Sequence, residues 1–314
     1  MARIPLSGVQ HALRAGDYEA VIAGVGASLR SLTHRGRDLV VPFDADQVRP
    51  RHSGATLAPW PNRIVDGRYE FGGTVQQLAL TEPARGHALH GLASWVEFLP
   101  VDKGASHVTL EAVVEAQKGY PWRVVVRTTF SLTSLGLTQS VTAVNESEDD
   151  APWGTSAHPY LVAGVGAVDE WTLELPASKV LQVSGDRMIP TGLEEVTVDP
   201  DRFDFRVARP IGAAQIDNAF TGLTSDGDGM VVARLTGTDG RGVEMAWDGT
   251  CPWVQVYTSD GPEGDPLNRR AVALEPMTCA PDAFNAATYS YDTGLVVLEP
   301  GGSAGAQWRI GAIG

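Results

Sequence analysis

Apolar and polar residues alternate with a period of two almost everywhere along this chain, and that constrains its fold more than any other feature. Trp171, Leu173 and Leu175 alternate with Thr172 and Glu174, and Val243, Met245 and Trp247 with Glu244 and Ala246. Leu137, Gln139, Val141 and Ala143 share one face of a run whose other face is Thr138, Ser140, Thr142 and Val144. Successive side chains of a strand point to opposite faces, so each run reads as a strand with one buried side. Further β-rich runs span Val108–Val114, Arg123–Leu132, Met230–Leu235, Trp253–Thr258 and Leu295–Glu299, bounded by Gly, Pro, Asp or Asn. Helical stripes of 3.6-residue period are missing, and a short helix or turn is expected only in Ala280–Ala287. Many short strands separated by turn residues predict an all-β sandwich or barrel. Gly and Pro are spread along the 314 residues with no hinge-like stretch and no repeat, so residues 1–314 are read as a single domain.

Charge narrows the function. With 24 Lys+Arg against 38 Asp+Glu the formal charge is −14, which argues against nucleic acid or an anionic membrane surface as partner, because both select for clustered cations. No apolar run approaches the roughly 18 residues of a membrane span. The first residues lack the apolar core of a signal peptide, so a cytoplasmic protein is expected. The two cysteines, Cys251 and Cys279, are too few for a disulfide framework and lack zinc-site spacing; free thiols are expected.

Four segments place polar side chains at strand ends or loops. In Leu57-Ala58-Pro59-Trp60-Pro61-Asn62-Arg63-Ile64 two prolines stiffen the backbone and present an amide beside an arginine fork, a pairing suited to a vicinal diol or a ring oxygen; a proline-stiffened turn with a surface Arg is the plainer alternative. His87-Ala88-Leu89-His90 has a His-x-x-His spacing, but no third ligand follows at a recognisable distance, so no metal is expected. His158 precedes Pro159, which holds it extended; imidazole gives and takes protons near neutral pH, although a His packed between Trp153 and Tyr160 would look the same. Glu275 ends an apolar strand and is locked by Pro276. Turned inward it is a natural general base; turned outward it pairs with Arg269 or Arg270. Weaker signals are Asp217, in an acidic–amide–aromatic pattern with Asn218 and Phe220, and Gln255, an amide that interrupts an apolar strand and needs partners if buried.

Taken in order, these segments resemble the aldose 1-epimerase (galactose mutarotase) family. The match rests on Pro59-Trp60-Pro61-Asn62-Arg63-Ile64 with Gly67, Tyr69 and Phe71, then Leu89-His90-Gly91, His158-Pro159-Tyr160, Asp217 before Phe220, Gln255-Val256-Tyr257-Thr258, and Glu275-Pro276 with Pro281-Asp282-Ala283 and Asn285. It runs from about residue 50 to residue 290. The resemblance implies a many-stranded β-supersandwich, Glu275 as catalytic base and His158 as catalytic acid. It implies that Arg63, His90 and Asp217 hold sugar hydroxyls with Asn62 beside them. Where many members carry a glycine after His-Gly, this chain has Leu92. Its Trp60 and His87 version is similar to a bacterial subgroup, some members of which act on unusual sugars, sulfonated ones included.

The implied chemistry is ring opening and reclosure of a free aldose, which is redox-neutral and requires no cofactor. The expected partner is the small sugar itself, with the chain a monomer or homodimer. Two other classes fit the same residues: a carbohydrate-binding sandwich without catalysis, and a glycoside hydrolase or lyase using Asp217 and Glu275 as its carboxylate pair.

Overall fold

The computed structural model describes residues 3–262 and 264–314, and in it the alternating runs become antiparallel strands. The largest sheet has nine strands in the order Leu99–Lys103, His107–Val114, Val124–Thr133, Gly136–Asn145, Ser303–Ile313, Gly242–Trp247, Val231–Thr236, Thr172–Glu174, Arg209–Pro210. Every strand expected on this sheet is present with its ends within two residues. Register aligns one apolar face: Phe130 lies opposite Gln139, Gln139 opposite Trp308, and Trp308 opposite Trp247. That row is buried, and the polar faces of the same strands meet solvent, as alternation demands. Gln139 is the polar member of the row. Its amide donates to Thr56 and Thr128 and accepts from the Trp308 indole, so no amide atom is stranded in the core.

A six-stranded sheet runs Tyr160–Leu161, Val272–Met277, Trp253–Tyr257, Asp217–Leu223, Ala177–Val183, Pro190–Glu195. Here alternation separates two interiors. Val272, Leu274, Val254, Val256 and Phe220 join the main hydrophobic core. Glu275 and Gln255, directly opposite one another, and Asp217 on the next strand lie on the other face. That face is the floor of a cleft. The Val272–Met277 strand is buried on both sides, which explains its near-continuous apolar sequence.

A four-stranded sheet, Gln10–Ala15, Tyr18–Ala23, Ser28–His34 and Arg37–Asp38, lies at the start of the chain. Its alternation is faint in the sequence because His11 and Ala20 hold buried positions beside Leu13 and Ile22. Among the described residues α-helix is confined to Pro200–Phe203. The turn expected in Ala280–Ala287 is a 3₁₀ segment, Ala283–Thr288. One hydrophobic core takes residues from all three sheets. No described helix is long and apolar enough to cross a membrane. Both cysteines are buried free thiols.

Candidate active site

Asn62, Arg63, His90, His158, Asp217 and Glu275 all line one cleft of about 670 Å³. Loops from the prolyl and histidyl motifs close it over the six-stranded sheet. Arg63 pairs across a two-strand ladder with Leu89, and the turns at either end fasten to each other: the His90 N–H donates to the Asn62 carbonyl, and the Asn62 N–H donates to His90 Nδ1. Asn62 and His90 both adopt left-handed backbone, φ 53° and φ 60°, a region in which Asn and His are enriched among non-glycine residues. Gly91 follows at φ 72°, and a Cβ there would lie 2.1 Å from the Ala58 carbonyl oxygen. Only glycine lets the His90 turn lie against the Pro59 loop.

His158 is held extended, its N–H donating to the Ala55 carbonyl and its own carbonyl accepting from Gly54. Its ring stacks on Tyr160 with centroids 4.8 Å apart; Trp153 packs elsewhere in the core. On the cleft side, His158 Nε2 lies 3.4 Å from Glu275 Oε1. Both side chains are buried, and neither His158 Nδ1 nor Glu275 Oε2 has a partner within the protein. The alternative pairing of Glu275 with Arg269 or Arg270 does not occur: Arg269 pairs with Asp169 and Asp260.

Electrostatics follow from that burial. Desolvation pushes the Glu275 carboxyl well above its ordinary value, with the nearby Asp217 charge adding to the shift and Arg63 opposing it. Burial, with His52 contributing, pushes His158 down to about 3. His90 is likewise driven well below the ordinary imidazole value, first by burial and then by His52 and His158. Asp217 is raised by burial, against the opposing pull of Arg63 and Gln255. A charged form removed from water with incomplete compensation is disfavoured in each case.

Two supporting residues, Glu82 and His52, escaped the sequence analysis, and a third, Gln255, was marked there without a role. Glu82 takes the Arg63 guanidinium in a two-point fork, 2.8 and 3.1 Å; nothing in its loop sequence marks it. Burial works against the Arg63 charge, but the Glu82 pair, with Asp217 and Glu275 nearby, more than offsets it, and its pKa rises. Gln255, singled out as an amide needing partners, donates to Asp217 Oδ1 at 2.6 Å and so sets that carboxylate beside Glu275. His52 stands over His90, centroids 4.6 Å apart.

The ligand atoms of His90, His158 and Glu275 lie within 4.8 Å of one another, a spacing that a metal ion could in principle bridge. The tautomer speaks against it. His90 Nδ1 accepts from a backbone N–H, so the neutral ring carries its proton on Nε2 and offers the cleft a donor, where a metal needs a lone pair. His87 takes no part. Its Nδ1 accepts from Asp66 N–H and its Nε2 bonds to the Arg187 carbonyl. The arrangement is a buried carboxyl–imidazole pair ringed by Arg63, His90, Asp217 and Asn62.

The aldose 1-epimerase family model matches residues 10–310. Uncharacterized protein YihR of Escherichia coli K12 is 35% identical over 296 residues, covering 94% of this chain and 90% of that protein. The fold is shared with a GalM/aldose epimerase homologue from C. elegans, at 20% identity and TM-score 0.82, covering 98% of this chain and 100% of that one. It is shared also with galactose 1-epimerase from Lactobacillus acidophilus, at 16% identity and TM-score 0.78, covering 97% and 95%. The chain belongs to the aldose 1-epimerase family and is a mutarotase-like sugar epimerase, an isomerase built on the galactose mutarotase-like β-fold.

Proposed function

We propose that the protein interconverts the α and β anomers of a free aldohexose, with Glu275 as base and His158 as acid. The observation that carries this reading is the buried Glu275–His158 pair, 3.4 Å apart, on a cleft floor surrounded by Arg63, His90, Asp217 and Asn62. The pair works while holding one proton in total. With the proton on His158, the Glu275 carboxylate takes the anomeric hydroxyl proton as His158 gives its own to the ring oxygen, and the C1–O5 bond breaks. Both groups are then neutral, the state that burial favours. The aldehyde rotates about C1–C2, and closure on its other face returns each proton by the reverse route. Arg63 and the His90 Nε2–H hold hydroxyls from one side, and Asp217 accepts from another. Each correctly placed proton transfer contributes roughly 10²–10⁴-fold. No step calls for a metal or redox group. We further propose that residues 1–314 are one domain acting in the cytoplasm, supported by the shared core and the expected free thiols.

The test is polarimetry on galactose, glucose, xylose and a C6-sulfonated hexose, after dialysis against a chelator, on wild type and Glu275→Gln. The amide keeps size and hydrogen bonding but cannot take the proton, so kcat is expected to fall on the order of 10²–10⁴-fold while calorimetric affinity changes far less. Near-normal turnover by a folded Glu275→Gln protein would defeat the mechanism. Loss of wild-type activity restored by a divalent ion would defeat the metal-free reading.

A further inference from the structure

One imidazole in the cleft has no place in the mechanism above. His52 lines the cavity with Glu275 and His158. Its ring lies 4.6 Å from that of His90 and stacks at 20° over His158, 6.3 Å away. No group among the described residues hydrogen-bonds its ring nitrogens, and burial, with the Arg49 charge next, pushes its pKa down to about 4. A neutral imidazole carries one N–H donor and one lone pair, both here available to a ligand.

The surroundings of His52 are built to hold it there. Its backbone belongs to a turn braced on the site: the His52 carbonyl accepts from Ala55, and the next residue but one, Gly54, donates to the His158 carbonyl. A Cβ on Gly54 would meet the Leu29 carbonyl at 2.1 Å, so the turn seats against the four-stranded sheet. Behind the ring stands Trp95, edge-on at 6.0 Å and half-exposed, an unusual position for so large an apolar side chain. Behind Trp95, the Arg49 guanidinium sits 4.2 Å from the ring centroid. Arg49 is buried and bonds to Ser28 Oγ and the Ser94 carbonyl, with no carboxylate partner among the described residues. The stacked indole supplies attraction for a cation held out of water. Arg49 over the Trp95 ring and Trp95 edge-on to His52 thus form a row whose last member presents to the cleft two nitrogens without a partner among the described residues.

We propose that His52 is a further sugar-contacting residue, which hydrogen-bonds a substrate hydroxyl and is oriented for it by the Arg49–Trp95 stack. This rests on the mutarotase reading. It adds to that reading a specificity contact that neither the sequence motifs nor the Glu275–His158 pair supplies.

The test compares His52→Phe, which keeps the stacked ring and removes both nitrogens, with His52→Gln, which restores a donor and an acceptor. On the aldose that wild type turns over fastest, His52→Phe is expected to weaken calorimetric binding and raise KM roughly tenfold, the loss of one hydrogen bond, with kcat within about threefold. His52→Gln is expected to recover most of the affinity. Trp95→Leu, with His52 intact, is expected to raise KM in the same direction by freeing the ring. Two variants that bind as wild type does would overturn the assignment alone, since wild-type turnover would still support the mutarotase reading. Equal losses in both variants, accompanied by a lowered Tm, would make His52 a packing residue and overturn it too. A wild type that binds and turns over none of the aldoses would overturn the mutarotase reading, and this contact with it.

Discussion

At the residue scale, the Glu275–His158 pair makes the pH dependence a sharp test. Burial raises Glu275 well above the ordinary carboxylate value of 4.5 and lowers His158 from 6.5 to about 3. The proposed mechanism requires one proton on the pair. Falling pH adds a second proton only well below the ordinary histidine range, and rising pH removes the shared proton only well above the ordinary carboxylate range. A plateau with both limbs displaced outward is therefore expected for kcat/KM, the limbs reporting the pair as a whole. In His158→Asn only Glu275 titrates, and only its ionised form is active. The bell should become a single curve rising with pH, with kcat lowered on the order of 10²–10⁴-fold. A bell of unchanged shape in that variant would make His158 structural.

Elements decide how these residues meet. The Arg63 strand is fastened from behind by the Asp282 turn. The Asp282 N–H donates to the Arg63 carbonyl, and its Oδ1 accepts from the Val65 N–H at 2.8 Å and from Asn285. Tyr289 donates its hydroxyl proton to Oδ2. Asp282→Ala leaves the part-buried Val65 N–H without its acceptor and is expected to cost roughly 1–3 kcal/mol, read as a lowered denaturation midpoint. Because the strand carries Arg63, KM should rise in the same variant, whereas Asp282→Asn, which keeps an acceptor, should lose less of both. Equal KM values in wild type and Asp282→Ala would show that the clamp does not set the position of Arg63. The Pro281-Asp282-Ala283 motif was legible in the sequence as part of a pattern, yet its role was not. Its partners Val65 and Arg63 lie more than two hundred positions away.

At the scale of the whole molecule, the nine-stranded sheet and the cleft are separate tasks. No cleft residue comes from that sheet among the described residues. Phe130, fully buried on the Val124–Thr133 strand of that sheet, serves packing alone. Phe130→Ala is expected to destabilise by roughly 3–5 kcal/mol, measured by denaturant titration, while kcat and KM of the folded fraction stay within about twofold. A selective loss of kcat would show that the sheet's packing reaches the Glu275 strand. Gln139 is the route by which it would do so, since its amide bonds Thr56, two residues before the Pro59 loop begins.

Strand positions were legible because alternation is a local consequence of burying one face of a pleated chain. Runs such as Val124–Thr133 and Gly136–Asn145 carry that pattern in their own side chains. The four N-terminal strands were not, because small and polar residues occupy their buried positions and blunt the contrast. Asn62, Arg63, His90, His158 and Glu275 stood out as polar residues set at strand ends or loops beside prolines and glycines, a local signal too, and Asp217 showed more weakly in its acidic–amide–aromatic pattern. Glu82 and His52 carried no such mark, for what distinguishes each is its partner: Glu82 meets Arg63 through a loop, and His52 meets His90 and His158 through a turn. The sequence by itself determined the period of the chain, hence an all-β fold, and the residue types available for acid–base chemistry. Only the tertiary structure decided which face of the Val272–Met277 strand became a cleft and which became core, because both faces are buried and no periodicity distinguishes them. It also decided the protonation of the site, since the shifts of Glu275 and His158 arise from burial and from charges brought near by folding.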